Sequence, residues 1–265
     1  MMQIPRLTFM LSLLLIVNLA GATPTTISLT ATADSAIFAE SGDLASGADD
    51  GLFVGINGNT GGFNERRALL RFDLSAIPNN ASIQSASLTL VLTRSVNAGD
   101  VNIGLHRLSA SWGEGLSTAI RGGGQGGAAT PDSATWVYRF WNDPTKQWNN
   151  PGGDFVANAS ATSTLGNTVG SAFSWSSAQV ANDVQSWLQT PTSNQGWILI
   201  AANNSNTTTA KRLASREFAT IAQRPRLDIT YNILPIAQTV PLPAWVLPIM
   251  TCLLLAIGYR LTRVH

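Results

Sequence analysis

Apolar and polar residues alternate in five short runs, and this alternation constrains the fold more than any other feature of the chain. Ile27, Leu29 and Ala31 alternate with Ser28, Thr30 and Thr32, and Leu70, Phe72 and Leu74 with Arg71 and Asp73. Ala86, Leu88, Leu90 and Leu92 repeat the pattern, as do Val101, Ile103 and Leu105, then Leu227, Ile229 and Tyr231. A period of two turns one face of a strand toward a core and the other toward water. Trp197 to Ala202 is continuously apolar and reads as a strand covered on both faces. Clusters of Gly, Asn, Pro and Ser separate the runs. One segment has helical spacing instead: Val180, Val184, Trp187 and Leu188, with Ser176 and Gln179 as a capping box and Pro191 as the stop. The expectation is an all-β, jelly-roll-like antiparallel β-sandwich with one short helix. A 45% hydrophobic content is enough to build its core.

Charge narrows the partners. Lys and Arg number 16 and Asp and Glu 15, and only 12% of residues are charged, against about 25% in an ordinary soluble domain. No basic stripe is present for nucleic acid, and the chain is no disordered polyelectrolyte.

Both ends read as targeting segments. After Met1 to Arg6 comes an apolar run to Ala20, and Ala20-Gly21-Ala22 has the small-x-small form of a cleavage site. Residues 1–22 are therefore expected to be a Sec signal peptide. No charge occurs between Asp228 and Arg260, and the uncharged stretch 240–259 is long enough for a transmembrane helix with a basic tip. The expected organisation is signal peptide 1–22, sandwich 23–232, linker 233–239 and tail 240–265. The single cysteine, Cys252, lies in that tail, so the exported body must be stable without disulfides. The order Val240-Pro241-Leu242-Pro243-Ala244, apolar helix, basic tip resembles the PEP-CTERM class of bacterial sorting tails in its Val-Pro-Leu-Pro-Ala variant. That resemblance implies export and processing by an exosortase-like enzyme. The product is a cell-envelope protein, anchored by one C-terminal span or released once the tail is processed.

Catalytic signatures are scarce. His106 is the only histidine of the body, which excludes histidine-rich metal sites and two-histidine protease motifs; its position on an alternating strand fits a surface residue. No Gly-x-Ser-x-Gly elbow is present. Glu114, Asp154 and Glu217 are the best carboxylates for a glycosidase pair, but nothing in the sequence brings two of them together, and each has a turn or an adjacent arginine to explain it. The chain is expected not to be an enzyme. Glu40, Asp43, Asp49 and Asp50 make a small acidic loop whose oxygens are candidate calcium ligands; no other cofactor is indicated. Arg139, Trp141, Lys146 and Trp148 lie in a polar, Asn- and Pro-rich stretch. Flat aromatic faces with cationic and amide neighbours suit the apolar faces and hydroxyl edges of sugars, and these four are the candidate glycan contacts. The competing role for these tryptophans is to pin a long loop to the sandwich.

A wider pattern spans the body. It comprises Arg67-Ala-Leu-Leu-Arg-Phe-Asp-Leu-Ser-Ala-Ile-Pro78, Ala81 to Leu90, Trp112-Gly-Glu-Gly115, Ala134-Thr-Trp136, Trp148 and Pro151-Gly-Gly-Asp-Phe155. It continues in Val184-Gln-Ser-Trp-Leu188, Asn194-Gln-Gly-Trp197, Ser215-Arg-Glu217 and Arg224-Pro-Arg-Leu227. In this order and spacing the body resembles the DNRLRE domain family, jelly-roll-like modules related to carbohydrate-binding modules for acidic polysaccharides. The resemblance implies a non-catalytic sandwich that binds extracellular polysaccharide. The alternative is a structural matrix or envelope protein that makes protein contacts without specific glycan binding.

Overall fold

The computed structural model describes residues 23–59, 62–95, 99–119, 124–202, 208–233 and 248. The expected signal peptide, Val240 to Ala244 and the apolar tail lie outside the described residues, Pro248 excepted. Two units separate between Ile233 and Leu234. Among the described residues no helix is long and apolar enough to cross a membrane.

The first unit is β-rich. Its strands are β1 (Thr25–Phe38), β2 (Leu44–Ala45), β3 (Gly51–Asn59), β4 (Gly62–Phe72), β5 (Ala81–Ser95) and β6 (Val101–Arg107). They continue as β7 (Gly127–Ala128), β8 (Ala161–Leu165), β9 (Ala172–Ser176), β10 (Trp197–Ala201), β11 (Lys211–Ala214) and β12 (Arg226–Ile233), with one helix, α1 (Ala178–Gln189), between β9 and β10. Every ladder among the described strands is antiparallel.

β1 explains how the sandwich closes. Its first half pairs with β12 (Thr25 opposite Tyr231 through Thr30 opposite Arg226), and its second half pairs with β4 (Ala31 opposite Phe72 through Phe38 opposite Arg66). An irregularity between Ala31 and Ala33 marks the change of partner. β3 does the same, pairing with β11 at Gly51 to Val54 and with β4 at Gly55 to Asn59. β1, β12, β5, β11, β3 and β4 therefore hydrogen-bond in a ring, a flattened barrel rather than two separate sheets. β10, β6 and β8 extend it from β4, and β9 adds to β5.

Inside lies the main core. Leu52, Val54, Leu70, Leu88, Leu90, Leu92, Leu199, Leu213, Leu227 and Ile229 are fully buried there. At roughly 1.5–3 kcal/mol for each such side chain, burial is the main term favouring this fold. α1 closes against β5 with Val180, Val184, Trp187 and Leu188 inward, the expected face. Its cap is Ser177, whose hydroxyl accepts the Val180 N–H at 3.1 Å, not Ser176. Ser176 is still strand, opposite Ser87. Buried Asp183 of α1 accepts the Trp197 Nε1–H at 2.9 Å and ties helix to sheet.

The β1–β4–β10 layer is covered on both sides, as the unbroken apolar run at 197–202 implies. Trp197 and Leu199 face the main core; Ile198, with Leu69 and Ile37, faces a second core completed by Leu108, Trp112, Ala134 and Trp148. The last four belong to the long excursion 108–160 between β6 and β8, whose described residues are mostly irregular and pack here on the outer face of the layer. β12 runs through Ile233, the residue the sequence assigns to the linker.

Candidate functional site

The excursion folds back on itself at 138–147. Tyr138 bridges Gln147, the Arg139 N–H donates to the Lys146 carbonyl at 2.9 Å, and the Lys146 N–H donates to the Asp143 carbonyl at 2.9 Å. Asn142 adopts a left-handed φ of 62°, which Asn tolerates better than most residues. The tip gathers Tyr138, Phe140 and Trp141 with two cations. The Trp141 and Tyr138 rings meet edge to face, 5.4 Å between centroids. Lys146 Nζ lies 5.1 Å from the Phe140 centroid and also pairs with Asp143 at 3.3 Å. Arg139 is held by the Gln147 carbonyl at 3.2 Å and by the Ser111 carbonyl at 3.1 Å. Hydrogen bonds from the Thr145 hydroxyl and then its amide keep the Asp143 carboxyl below the usual carboxylate range.

The structure thus places Arg139, Trp141 and Lys146 on one hairpin tip, partly or fully exposed. Trp148 does not join them. It is 5% exposed, its Nε1–H donates to the Thr135 carbonyl at 2.9 Å, and its ring packs in the second core. Trp148 pins the excursion to the sheet, and the expectation of a glycan contact there is corrected. Tyr138 and Phe140, which the sequence reading passed over, stand beside Trp141 and Lys146; their signal is the aromatic spacing within the same polar stretch.

The acidic loop does not converge. Glu40 pairs with Arg66, which is 1% exposed, Asp43 accepts the Ser41 hydroxyl, and Asp49 and Asp50 both face Arg212. Burial, then the adjacent Asp50, pushes the Asp49 carboxyl up. Among the described residues no group of three or more His, Cys, Asp or Glu is placed to hold a metal ion. Four carboxylates divided among two arginines and a serine do not make a calcium cage, so the expectation of a shared ligand set at Glu40, Asp43, Asp49 and Asp50 is corrected.

Two of the three isolated carboxylates do meet, which the sequence did not foretell. Glu114 and Glu217 both bind the Arg216 Nε, at 2.6 and 2.9 Å, and Glu114 also takes Nη2 at 2.9 Å. Asp34, 1% exposed, donates its backbone N–H to Glu114 at 2.7 Å and accepts the Arg216 N–H at 2.8 Å. Asp34 Oδ1 and Glu217 Oε2 are buried without partners. Burial, and next the Glu217 charge, pushes the Asp34 carboxyl well above its ordinary value. Burial also raises Glu217. The Glu114 hydrogen bonds raise Arg216. A glycosidase needs its two carboxyls to flank the scissile bond. Here a guanidinium occupies the space between them, and the group works as an ionic clasp joining β1, the 108–160 excursion and the chain after β11. Asp154 has other partners: it accepts the Asn149 and Asn150 N–H groups and fixes a turn. His106 bonds the Val156 carbonyl at 3.0 Å and lies edge-on to Phe155.

No curated protein matches the chain. A model of carbohydrate-binding module family 96 matches residues 25–119. The match covers β1 through β6 and the first residues of the excursion, so it includes Asp34 and Glu114 but stops short of the 138–147 hairpin. In this stretch the chain is similar to a carbohydrate-binding module family, the coarser part of the resemblance drawn from its sequence.

Proposed function

We propose that the body is a non-catalytic module binding extracellular polysaccharide, carried on an exported protein held at the cell envelope by its C-terminal tail. The observation that carries this reading is the similarity of residues 25–119 to a carbohydrate-binding module family. The hairpin tip supplies fitting chemistry: Trp141 and Tyr138 offer stacking surface, while Arg139 and Lys146 favour uronate or sulfated sugars. Export and tethering rest on the composition of residues 1–22 and 240–265. The Val-Pro-Leu-Pro-Ala segment fits handling by an exosortase-like enzyme.

The test is native electrophoresis of the full chain, in a sugar-free detergent, through gels cast with neutral and acidic polysaccharides. Retardation by an acidic class, lost in Trp141→Ala, supports the reading. Unretarded migration in every gel favours the matrix-protein alternative.

A further inference from the structure

A second feature lies away from the hairpin. β4 leaves the sheet at Phe72, and the chain turns through Asp73, Leu74 and Ser75 toward β5. Against this turn sits the C-terminal end of α1, followed by the 3-10 turn Pro191–Ser193 and Asn194. A cavity of about 300 Å³ opens between the two. That is the small end of the range for small-molecule sites, roughly 300–1,000 Å³, and suits one ring rather than a chain segment.

Its walls are fixed from behind. The Trp187 ring packs on Trp197 with centroids 4.4 Å apart, and Asn194 Nδ2 donates to the Phe72 carbonyl at 2.9 Å, tying the turn to the strand. Trp187, Leu188 and Pro191 supply the apolar wall. Asp73 supplies a carboxylate whose Oδ1 accepts the Ser75 N–H at 2.9 Å and whose Oδ2 accepts the Ser75 hydroxyl at 2.8 Å. Each oxygen keeps acceptor capacity for a further hydrogen bond. The Ser75 amide, then its hydroxyl, holds the Asp73 carboxyl below its ordinary range. The lining has this one anion and no Lys, Arg or His.

Two wall residues carry unmet hydrogen-bonding groups. Trp187 Nε1, on a side chain 2% exposed, is a donor without an acceptor, and Asn194 Oδ1 is an acceptor without a donor. The other four buried indoles, Trp112, Trp148, Trp175 and Trp197, each have an acceptor within 2.9 Å. Both atoms have almost no accessible surface and lie behind the wall, so the groups that face an occupant are the Asp73 carboxylate and the apolar side chains.

We infer that this cavity binds a single uncharged pyranose, such as the terminal unit of a glycan, through its vicinal hydroxyls. The carboxylate accepts from two neighbouring hydroxyls, the apolar wall meets the ring face, and the anion repels uronate and sulfated sugars. The pocket is thus opposite in charge preference to the Arg139–Lys146 hairpin. The choice of a sugar rests on the carbohydrate reading above; the preference for a neutral polyol follows from the lining itself.

Saturation-transfer NMR on the full chain in a sugar-free detergent tests this, with methyl glycosides of glucose, galactose and mannose and methyl glucuronoside as the charged control. Signal for at least one neutral glycoside is expected to vanish in Asn79→Trp, while any glucuronoside signal, which the hairpin can supply, should be unchanged by that substitution. Asp73→Asn should weaken the neutral signal about tenfold or more, since it loses charge-assisted hydrogen bonds. Asn79→Trp, at an exposed wall position, should abolish it by filling the mouth. No transfer to any neutral glycoside, neutral transfer unchanged in Asn79→Trp, or a glucuronoside signal that Asn79→Trp also removes overturns the inference. If polysaccharide gels still retard the protein in that case, only the pocket is lost; if retardation fails too, the carbohydrate reading falls with it.

Discussion

Trp148 separates the two roles a tryptophan in the 139–148 stretch can have. Its side chain is buried among Leu69, Ile198, Ile37 and Trp112, and its N–H serves the Thr135 carbonyl. Truncating a buried tryptophan to alanine costs about 3–5 kcal/mol. Leaving the Thr135 carbonyl without its donor costs about 1–3 kcal/mol if water cannot replace it. Trp148→Phe keeps most of the ring and loses the N–H, so it isolates the second quantity. In urea, with a slope of about 3 kcal/mol per molar for a domain this large, Trp148→Ala should lower the midpoint by more than about 1 M, and Trp148→Phe by less. Limited proteolysis should cut the 108–160 excursion first in Trp148→Ala. Trp141→Ala should cost about 1 kcal/mol, the worth of its edge-to-face contact with Tyr138, while removing glycan retardation. Trp148→Phe should retain retardation. An unchanged urea midpoint in Trp148→Ala, or lost retardation in a fully stable Trp148→Phe, would refute the assignment of Trp148 to the core.

Three further outcomes are expected. Asp34→Asn should raise the melting temperature at pH 7 and leave it little changed near pH 4: the native carboxyl is raised, so its contribution is complete below the unfolded value of about 3.9 and is lost as pH rises toward the native one. A lower melting temperature for that variant at pH 7 contradicts the sign. Arg216→Gln should destabilise by about 1–2 kcal/mol, discounted because the guanidinium is 38% exposed, and adding Glu217→Gln should recover part of the loss in urea titrations. Lys146→Glu should reduce retardation by acidic polysaccharides, most clearly at low salt, and leave the urea midpoint unchanged; the Lys146–Asp143 pair is exposed and contributes little.

Local patterns told most of the fold. The alternation at 27–31, 86–92 and 227–231 lies in β1, β5 and β12, and the unbroken run starting at Trp197 forms β10 through Ala201, covered on both faces, with Ala202 outside it and exposed. The helix lies where Val180, Val184, Trp187 and Leu188 placed it. β8 and β11 were not legible, because Ala-Thr-Ser-Thr-Leu and Lys-Arg-Leu-Ala carry no clear period. β3 was hidden by glycines and by Leu52, Phe53 and Val54 in succession. Ring closure was also out of reach, since it depends on β1 and β3 changing partners midway.

The sites were less legible. Polar neighbours such as Asn149 and Asn150 made Trp148 look exposed, whereas its environment comes from Leu69 and Ile198, far along the chain. The clasp joins residues 34, 114 and 216–217, a juxtaposition that no local spacing encodes. The acidic loop looked like a cation site because Arg66 and Arg212, which neutralise it, are distant in sequence.

The most direct test of the central claim is affinity electrophoresis of the full chain beside Trp141→Ala, across neutral and acidic polysaccharides. The carbohydrate-binding account predicts that an acidic glycan retards the wild type and that the variant runs free. Equal, unretarded migration of both in every gel contradicts it.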